Sequence, residues 1–350
     1  MMENTVICRI LNIQRRKKYS FLYVYGAKYR QMLIDNEMLD SVNLKKYDII
    51  CAKVKEISNQ YNSNILNVLS IERVGERAMV HSSALEYSLT NECNKIRSCK
   101  KIIIDDIEMY LKNNGYKKSY NSIITNNRGS SMASPLKVNG KYLDAYLRLT
   151  HEINLKKEVC FTLQPIYEIG YVARDVYSHG YKTPVYLSLE TVAPFFDISH
   201  IVDILQFIIK TATQRAEELS VEHTDVSNVK IMEYKEYSGK EENIILTECP
   251  VSSPLVKTIN GKCTEIKWIY KGLNMGHGYV DENNYDKILK SCKRQLEILE
   301  SKNVNGSLPK EFLEVLKIGM PDTVSLGVGL DRFFCVFFKY KTMREYFNGL

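Results

Sequence analysis

An α+β fold in two parts is what this sequence predicts: a small five-stranded β-barrel of the OB type, then an antiparallel sheet flanked by helices. Three observations point there. Residues 6 to 73 alternate apolar and polar positions in short runs, and helical periodicity begins only near residue 95. Beyond that point strands follow one another across loops with helices between them, an order that fits an antiparallel sheet better than a doubly wound one.

The barrel strands read as Val6 to Ile10, Tyr19 to Tyr25, Arg30 to Ile34, Asp48 to Val54 and Leu66 to Ile71. Five strands in about seventy residues suit a small closed barrel. The basic cluster Arg15-Arg16-Lys17-Lys18 falls in the first hairpin, and Tyr19, Phe21, Tyr23 and Tyr25 follow at alternate positions. Charge beside stackable rings is how such barrels hold single-stranded nucleic acid. Alternation puts all four rings on one face, which serves equally well as a stacking platform or as a core with lysines solvating a turn.

Residues 1–77 therefore form the first domain, 78–95 a polar connector, and 96–350 the second domain. The second opens with an amphipathic helix from about Lys95 to Asn114, closed by Gly115. Strands are expected at Leu143 to Leu149, Ile166 to Val172, Val185 to Thr191, Glu265 to Tyr270 and Val324 to Gly329. Helices are expected at Ile153 to Phe161, Ile201 to Leu219, Tyr285 to Leu299 and Leu330 to Phe338.

The chain has 350 residues and 45% apolar content, enough for a large core. No apolar run reaches the length of a membrane span, and Met1-Met2-Glu3-Asn4-Thr5 lacks the basic and apolar regions of a signal peptide. A cytoplasmic address without membrane partners is expected. Nine cysteines, an odd number with no Cys-x-x-Cys pair, indicate neither a disulfide framework nor a zinc site. The formal charge of +7 suits a polyanionic partner, although surplus lysine is also common on ordinary surfaces.

Two segments carry chemistry. The first is Gly319-Met320-Pro321-Asp322-Thr323-Val324-Ser325-Leu326-Gly327-Val328-Gly329-Leu330-Asp331-Arg332, ahead of an apolar run from Phe333 to Phe338. Gly327 and Gly329 let a strand pass close to a flat ligand, and an arginine in the first turn of a buried helix can hold a polyphosphate. Alone, this pattern is also that of an ordinary strand-to-helix turn. The second runs from Ile166 to Asp175, then across a polar loop to Thr183-Pro184-Val185-Tyr186-Leu187-Ser188-Leu189-Glu190. Adjacent strands there would set Arg174, Tyr186 and Glu190 on one face, to grip a phosphate, a base and an ammonium group.

These residues resemble the class II aminoacyl-tRNA synthetases, most closely the lysyl-tRNA synthetase branch with its N-terminal OB fold. The resemblance covers essentially the whole chain. It implies that Arg174 binds the α-phosphate of ATP and Arg332 the γ-phosphate. Tyr186 would stack on adenine, while Lys182 begins the segment similar to the family's His-x-Pro-Glu-Phe. The stretch Tyr146 to Lys157 resembles the lysyl branch's Arg-Ile-Ala-Pro-Glu-Leu-Tyr-Leu-Lys segment, which implies a basic amino acid bound by Glu152 with Glu190. Gly276 to Asp281 is similar to Gly-Asn-Gly-Phe-Ser-Glu, which adds Tyr279 and Asp281 to the amino-acid contacts, with Gly329 beside them. Asp281 would take the side-chain ammonium. Gly129 to Pro135 resembles the loop over the amino-acid pocket, and Pro250 to Leu255 a core strand entry.

The departures are specific. Ser122 stands near the first motif's proline, which shapes the dimer interface, and Val176 replaces a carboxylate. The two Mg²⁺-binding glutamates align with Lys267 and Asn274, with Glu265 two residues away as the substitute ligand. Lys267 could put a fixed ammonium against the phosphates or end ATP binding. Glu152 could pair with Lys156 one helical turn on. The resemblance implies ATP and Mg²⁺ as cofactors, tRNA gripped by Arg15, Arg16, Lys17, Lys18 and Phe21, and a homodimer. Three functions fit: a tRNA-charging ligase, a ligase serving another acceptor, and a silent binder of tRNA or of an enzyme.

Overall fold

Strict alternation along Tyr19–Tyr25 decides which face of the first hairpin is core: Ser20, Leu22 and Val24 are buried, while Tyr19 and Tyr25 are exposed and Phe21 and Tyr23 half-buried. The rings therefore point out of the barrel. The computed structural model describes residues 4–26, 31–58, 64–75, 87–88, 90–126, 133–141, 143–301 and 307–349. The chain divides into one unit of residues 1–94 with 348–350 and a second of residues 95–347.

In the first unit, strands β1 (Asn4–Arg15), β2 (Tyr19–Tyr25), β3 (Gln31–Asp35), β4 (Ile49–Ser58) and β5 (Asn64–Gly75) close a barrel in the order β1-β2-β3-β5-β4. Neighbours are antiparallel except β3 and β5. Cys8, Ile10, Leu22, Met32, Ile34, Ile50, Ala52 and Val54 fill the interior. A helix unforeseen in the sequence, Asn36–Val42, follows β3; its N-cap is Asp35, whose side chain accepts the Glu37 N–H at 2.8 Å.

The second unit is built on an eight-stranded sheet. In chain order its strands are β6 (Lys117–Lys118), β7 (Ile124–Thr125), β8 (Lys137–Gly140), β9 (Leu143–Leu147), β10 (Ile166–Ala173), β11 (Val185–Pro194), β12 (Lys230–Glu233), β13 (Asn243–Cys249), β14 (Thr258–Ile259), β15 (Lys262–Cys263), β16 (Glu265–Tyr270), β17 (Leu273–Val280) and β18 (Thr323–Gly329). The main sheet runs β12-β13-β16-β17-β18-β11-β10-β6, antiparallel except for its two outermost pairings.

One face of that sheet is covered by helices. Ser199–Glu218 buries Ile201, Ile204, Leu205, Ile208 and Ala212, the 3.6-residue pattern of an apolar stripe, and Leu330–Phe337 packs Phe333 on Trp268 with ring centroids 5.1 Å apart. Gly278 makes the first contact feasible. A Cβ there would lie 2.9 Å from Ile201 Cδ1 and 2.5 Å from the Ser325 carbonyl oxygen, so any side chain would push helix from sheet. On the opposite face the helix Glu152–Thr162 packs Leu155 and Val159 on Ile166 and Val192, and the strands beyond that contact line a cleft. Beside it, the helices Glu152–Thr162, Tyr285–Ser301 and Lys310–Leu316 enclose a core of Cys160, Ile288, Cys292, Phe312 and Leu313. Among the described residues no helix is long and apolar enough to cross a membrane.

Candidate functional site

Register lines up the residues on the open face. Lys267 lies opposite His277, His277 opposite Gly327, Gly327 opposite Glu190, and Glu190 opposite Glu168. Directly opposed residues share a face, and His277 adjoins the helix-facing Gly278, so this row faces away from Ser199–Glu218. One row to one side stand Tyr279 and Ser325; to the other stand Gly329, Ser188 and Gly170.

Over these rows lies a cleft of about 1010 Å³, counting its open mouth. It suits a nucleotide with a small second molecule. Arg174, Tyr186, Glu190, Glu152, Tyr279, Gly329, Asn274 and Arg332 all line it, although they come from five separate stretches of chain. Sequence reading missed other lining residues, among them Thr150, Tyr181, Thr183 and His277. Their signal was only their place beside the motifs.

At one end the cleft is cationic. Arg174 follows β10, and its guanidinium lies 5.4 Å from the centroid of the Tyr186 ring. Its Nε is buried with no hydrogen-bond partner among the described residues. Arg332, in the first turn of Leu330–Phe337, donates from Nη1 to the Asn274 carbonyl at 2.8 Å and from Nε to that of Tyr181 at 3.2 Å. Burial draws the Arg332 guanidinium below its ordinary range, and the like charge of Arg174 adds to this. The two guanidinium groups repel one another, a like-charge arrangement that an anion would relieve. Lys182, by contrast, is exposed on the hairpin and does not line the cleft.

The opposite end is acidic. Glu190 accepts the Thr150 hydroxyl at 2.5 Å and the His151 N–H at 3.0 Å. Glu152 accepts the Tyr279 hydroxyl and pairs with Lys156 one turn on. Burial pushes the Glu152 carboxyl up, but the charge of Lys156 together with hydrogen bonds from Lys156 and Tyr279 outweighs it, and the group is held below its usual range. Asp281 is fully buried behind the cleft, where it holds Lys156 at 2.7 Å and accepts hydroxyls from Thr323 and Ser325, so it meets an ammonium of the protein itself. Burial raises its carboxyl above the usual range.

Beneath Glu190 a polar layer braces the sheet. Arg148 Nη1 lies 2.7 Å from Glu168 Oε1, and Asn121 donates to Glu168 Oε2 at 3.0 Å. Gly170 admits this layer, since a Cβ there would lie 2.7 Å from Arg148 Nη2.

The positions expected to hold Mg²⁺ do not form a ligand set. Glu265 is fully buried, its oxygens taken by the Ser252 N–H at 2.7 Å, the Ser252 hydroxyl at 2.5 Å and Lys267 Nζ at 3.1 Å. Asn274 reaches the cleft, where its backbone carbonyl accepts from Arg332. Among the described residues no group of three or more His, Cys, Asp or Glu could hold a metal ion. An ammonium fixed to the one carboxylate is a poor setting for a divalent cation.

In the first unit, Arg16, Lys17 and Lys18 are exposed between β1 and β2, whereas Arg15 Nη2 is bound to Asp40 at 2.6 Å. Phe21 is half-buried on the outer face. Within the loop singled out at Gly129 to Pro135, Gly129, Ser130, Ser131 and Met132 lie outside the described residues.

A family model described as tRNA synthetases class II (D, K and N) matches residues 75–347. Curated relatives include the lysine–tRNA ligase of Mycoplasmoides gallisepticum, 23% identical over 94% of this chain and 83% of that protein. The lysine–tRNA ligase of Enterococcus faecalis is 23% identical over 69% of this chain and 61% of its own length. The chain spans about three fifths of several such relatives. Among solved structures, asparaginyl-tRNA synthetase from Pyrococcus horikoshii complexed with asparaginyl-adenylate matches with a TM-score of 0.81 at 13% identity, covering 98% of this chain and 93% of that one. That likeness establishes the fold.

Proposed function

Because the chain belongs to the class II tRNA synthetase family that comprises the D, K and N types, we propose that it activates lysine or a lysine-like amino acid with ATP and transfers it to tRNA. One observation carries this reading: Arg174 and Arg332 line the same cleft as Glu190 and Glu152, with the arginines beside Tyr186 and Glu152 beside Tyr279. A polyanion and an amine-bearing molecule would be drawn in head to tail. The amino-acid carboxylate attacks the α-phosphorus, the bond to the bridging oxygen of the β-phosphate breaks, and pyrophosphate leaves. A terminal ribose hydroxyl of tRNA then takes the acyl group and AMP departs.

Little acid or base chemistry is needed. Positioning and charge supply the rate: Arg174 would stabilise the pentavalent phosphorus, Arg332 the departing pyrophosphate, and Tyr186 would stack on adenine. Glu190 and Glu152 would bind the amino groups. We read the five-stranded barrel as an OB fold that grips tRNA through its basic hairpin and Phe21, and the protein as a cytoplasmic homodimer.

Lysine-driven ATP–pyrophosphate exchange, with and without tRNA, tests the reading. Absence of exchange with every amino acid would leave a silent binder, the second reading, which the Lys267–Glu265 ion pair at 3.1 Å favours by occupying the expected metal position. Exchange without tRNA charging would point to another acceptor.

A further inference from the structure

One strand beyond His277 the sheet carries a cation of its own. Lys267 lies opposite His277 on the same face, and His277 lines the cleft. The Lys267 side chain is 23% exposed, with Nζ 3.1 Å from Oε1 of the fully buried Glu265. Ser252 holds that carboxylate as well, its N–H donating to Oε2 at 2.7 Å and its hydroxyl to Oε1 at 2.5 Å. The pair is neutral, and the group that meets solvent is the ammonium.

Around Tyr186 the cleft is positive too, through Arg174 and Arg332. Among the described residues Glu152 and Glu190 are the carboxylates that line it. Glu190 spends Oε2 on the Thr150 hydroxyl and the His151 N–H, and Glu152 pairs with Lys156. A divalent cation in a nucleotide site is held between carboxylate oxygens and phosphates, where it keeps an acidic wall from repelling a polyanion. A neutral pair with its ammonium outward needs no such bridge. Magnesium would also cancel about half of the charge of ATP, and with it about half of the attraction to the two guanidinium groups.

We propose that the Lys267–Glu265 ion pair stands in place of a divalent cation, so that the cleft binds ATP free of metal, with Arg174 and Arg332 as the cations that meet its phosphates. Lys267 is a positioning residue, acting through the carboxylate it neutralises. The inference rests on the ATP-using reading and concerns how that nucleotide is held.

Equilibrium dialysis of the full chain against labelled ATP, once in EDTA and once in excess Mg²⁺, tests it without requiring catalysis. The wild type should bind in EDTA no more than about threefold more weakly than in Mg²⁺. Lys267→Glu, which turns the neutral pair into two carboxylates, should bind at least about tenfold more weakly in EDTA than in Mg²⁺. A merely structural role for Lys267 would weaken binding alike in both buffers. The proposal is overturned if the wild type needs Mg²⁺ for tight binding, or if Lys267→Glu gains no dependence on it. Should Lys267→Glu not fold, the two affinities of the wild type decide alone. Pyrophosphate exchange separates the two ideas: ATP bound in EDTA without exchange on any amino acid refutes the activity and leaves metal-free binding standing, whereas exchange by a chain that binds ATP only with Mg²⁺ does the reverse. Binding in neither buffer overturns both.

Discussion

Asp331 Oδ2 accepts the backbone N–H of Leu187 at 2.7 Å, tying the first turn of the helix Leu330–Phe337 to strand β11 one residue past Tyr186. Its other oxygen accepts from Lys100 Nζ at 3.0 Å and from the Tyr346 hydroxyl at 2.8 Å. The neighbouring Arg332 is thereby fixed relative to Tyr186 and Arg174. Removing one member of a buried charged network leaves the others unpaired and costs about 3 kcal/mol or more. Asp331→Ala should lower the urea midpoint accordingly and weaken ATP binding besides. An unchanged midpoint would show that the network does not hold the helix.

Glu168 gives a pH signature. Burial pushes its carboxyl up, but hydrogen bonds from His151 and Asn121 and the charge of Arg148 outweigh this and hold it down at about 2, against an ordinary value of 4.5. A depressed folded value contributes stability above pH 4.5, and that contribution is lost as pH falls towards 2. Glu168→Gln should therefore be less stable than wild type at pH 7 by roughly 3 kcal/mol, with the gap narrowing by pH 3. Urea melts at both values check it, and a gap independent of pH contradicts the assignment.

Much of this was legible because periodicity reports burial. The Ser199–Glu218 stripe and the alternation in β2 follow from which side chains leave water, and both motif arginines fall at strand or helix ends where the backbone fixes them. The partners of Asp281 were not legible because Lys156, Thr323 and Ser325 lie far away in the chain, and no local pattern tells a carboxylate facing a ligand from one facing a buried lysine. The surroundings of Glu265 were hidden for the same reason: Ser252 is brought to it by the fold. Short strands such as β6, β7 and β12 carry two to four residues, too few for alternation to show.

The basic hairpin divides unequally. Arg15 is already neutralised by Asp40 at 2.6 Å, while Arg16, Lys17 and Lys18 are exposed. Neutralising those three should weaken tRNA binding and flatten its dependence on log salt concentration by about 2, at roughly 0.7 per charge for a single strand. Arg15→Gln alone should change the slope by less than any one of the others. Filter binding across a salt series reads both effects, and a slope unmoved by the triple change would remove the hairpin from the tRNA surface.

Arg174 provides the sharpest test of the catalytic reading. Its guanidinium sits 5.4 Å from the Tyr186 ring centroid with Nε buried and without a hydrogen-bond partner among the described residues, so a planar cation is held in readiness beside a ring. Lysine keeps the charge but loses the plane and the fork, which makes Arg174→Lys a severe change at such a position. If the guanidinium stabilises charge that develops only in the transition state, Arg174→Lys should lower the exchange rate constant by about a hundredfold, near the loss of one preorganised donor, and raise the KM for ATP far less. Tyr186→Ala should do the opposite, raising KM by about tenfold or more through lost stacking while sparing much of kcat. Equal losses in both parameters for both variants would mean that the pair merely supports the fold, because only a division between ground-state and transition-state contacts separates a base platform from a phosphate clamp.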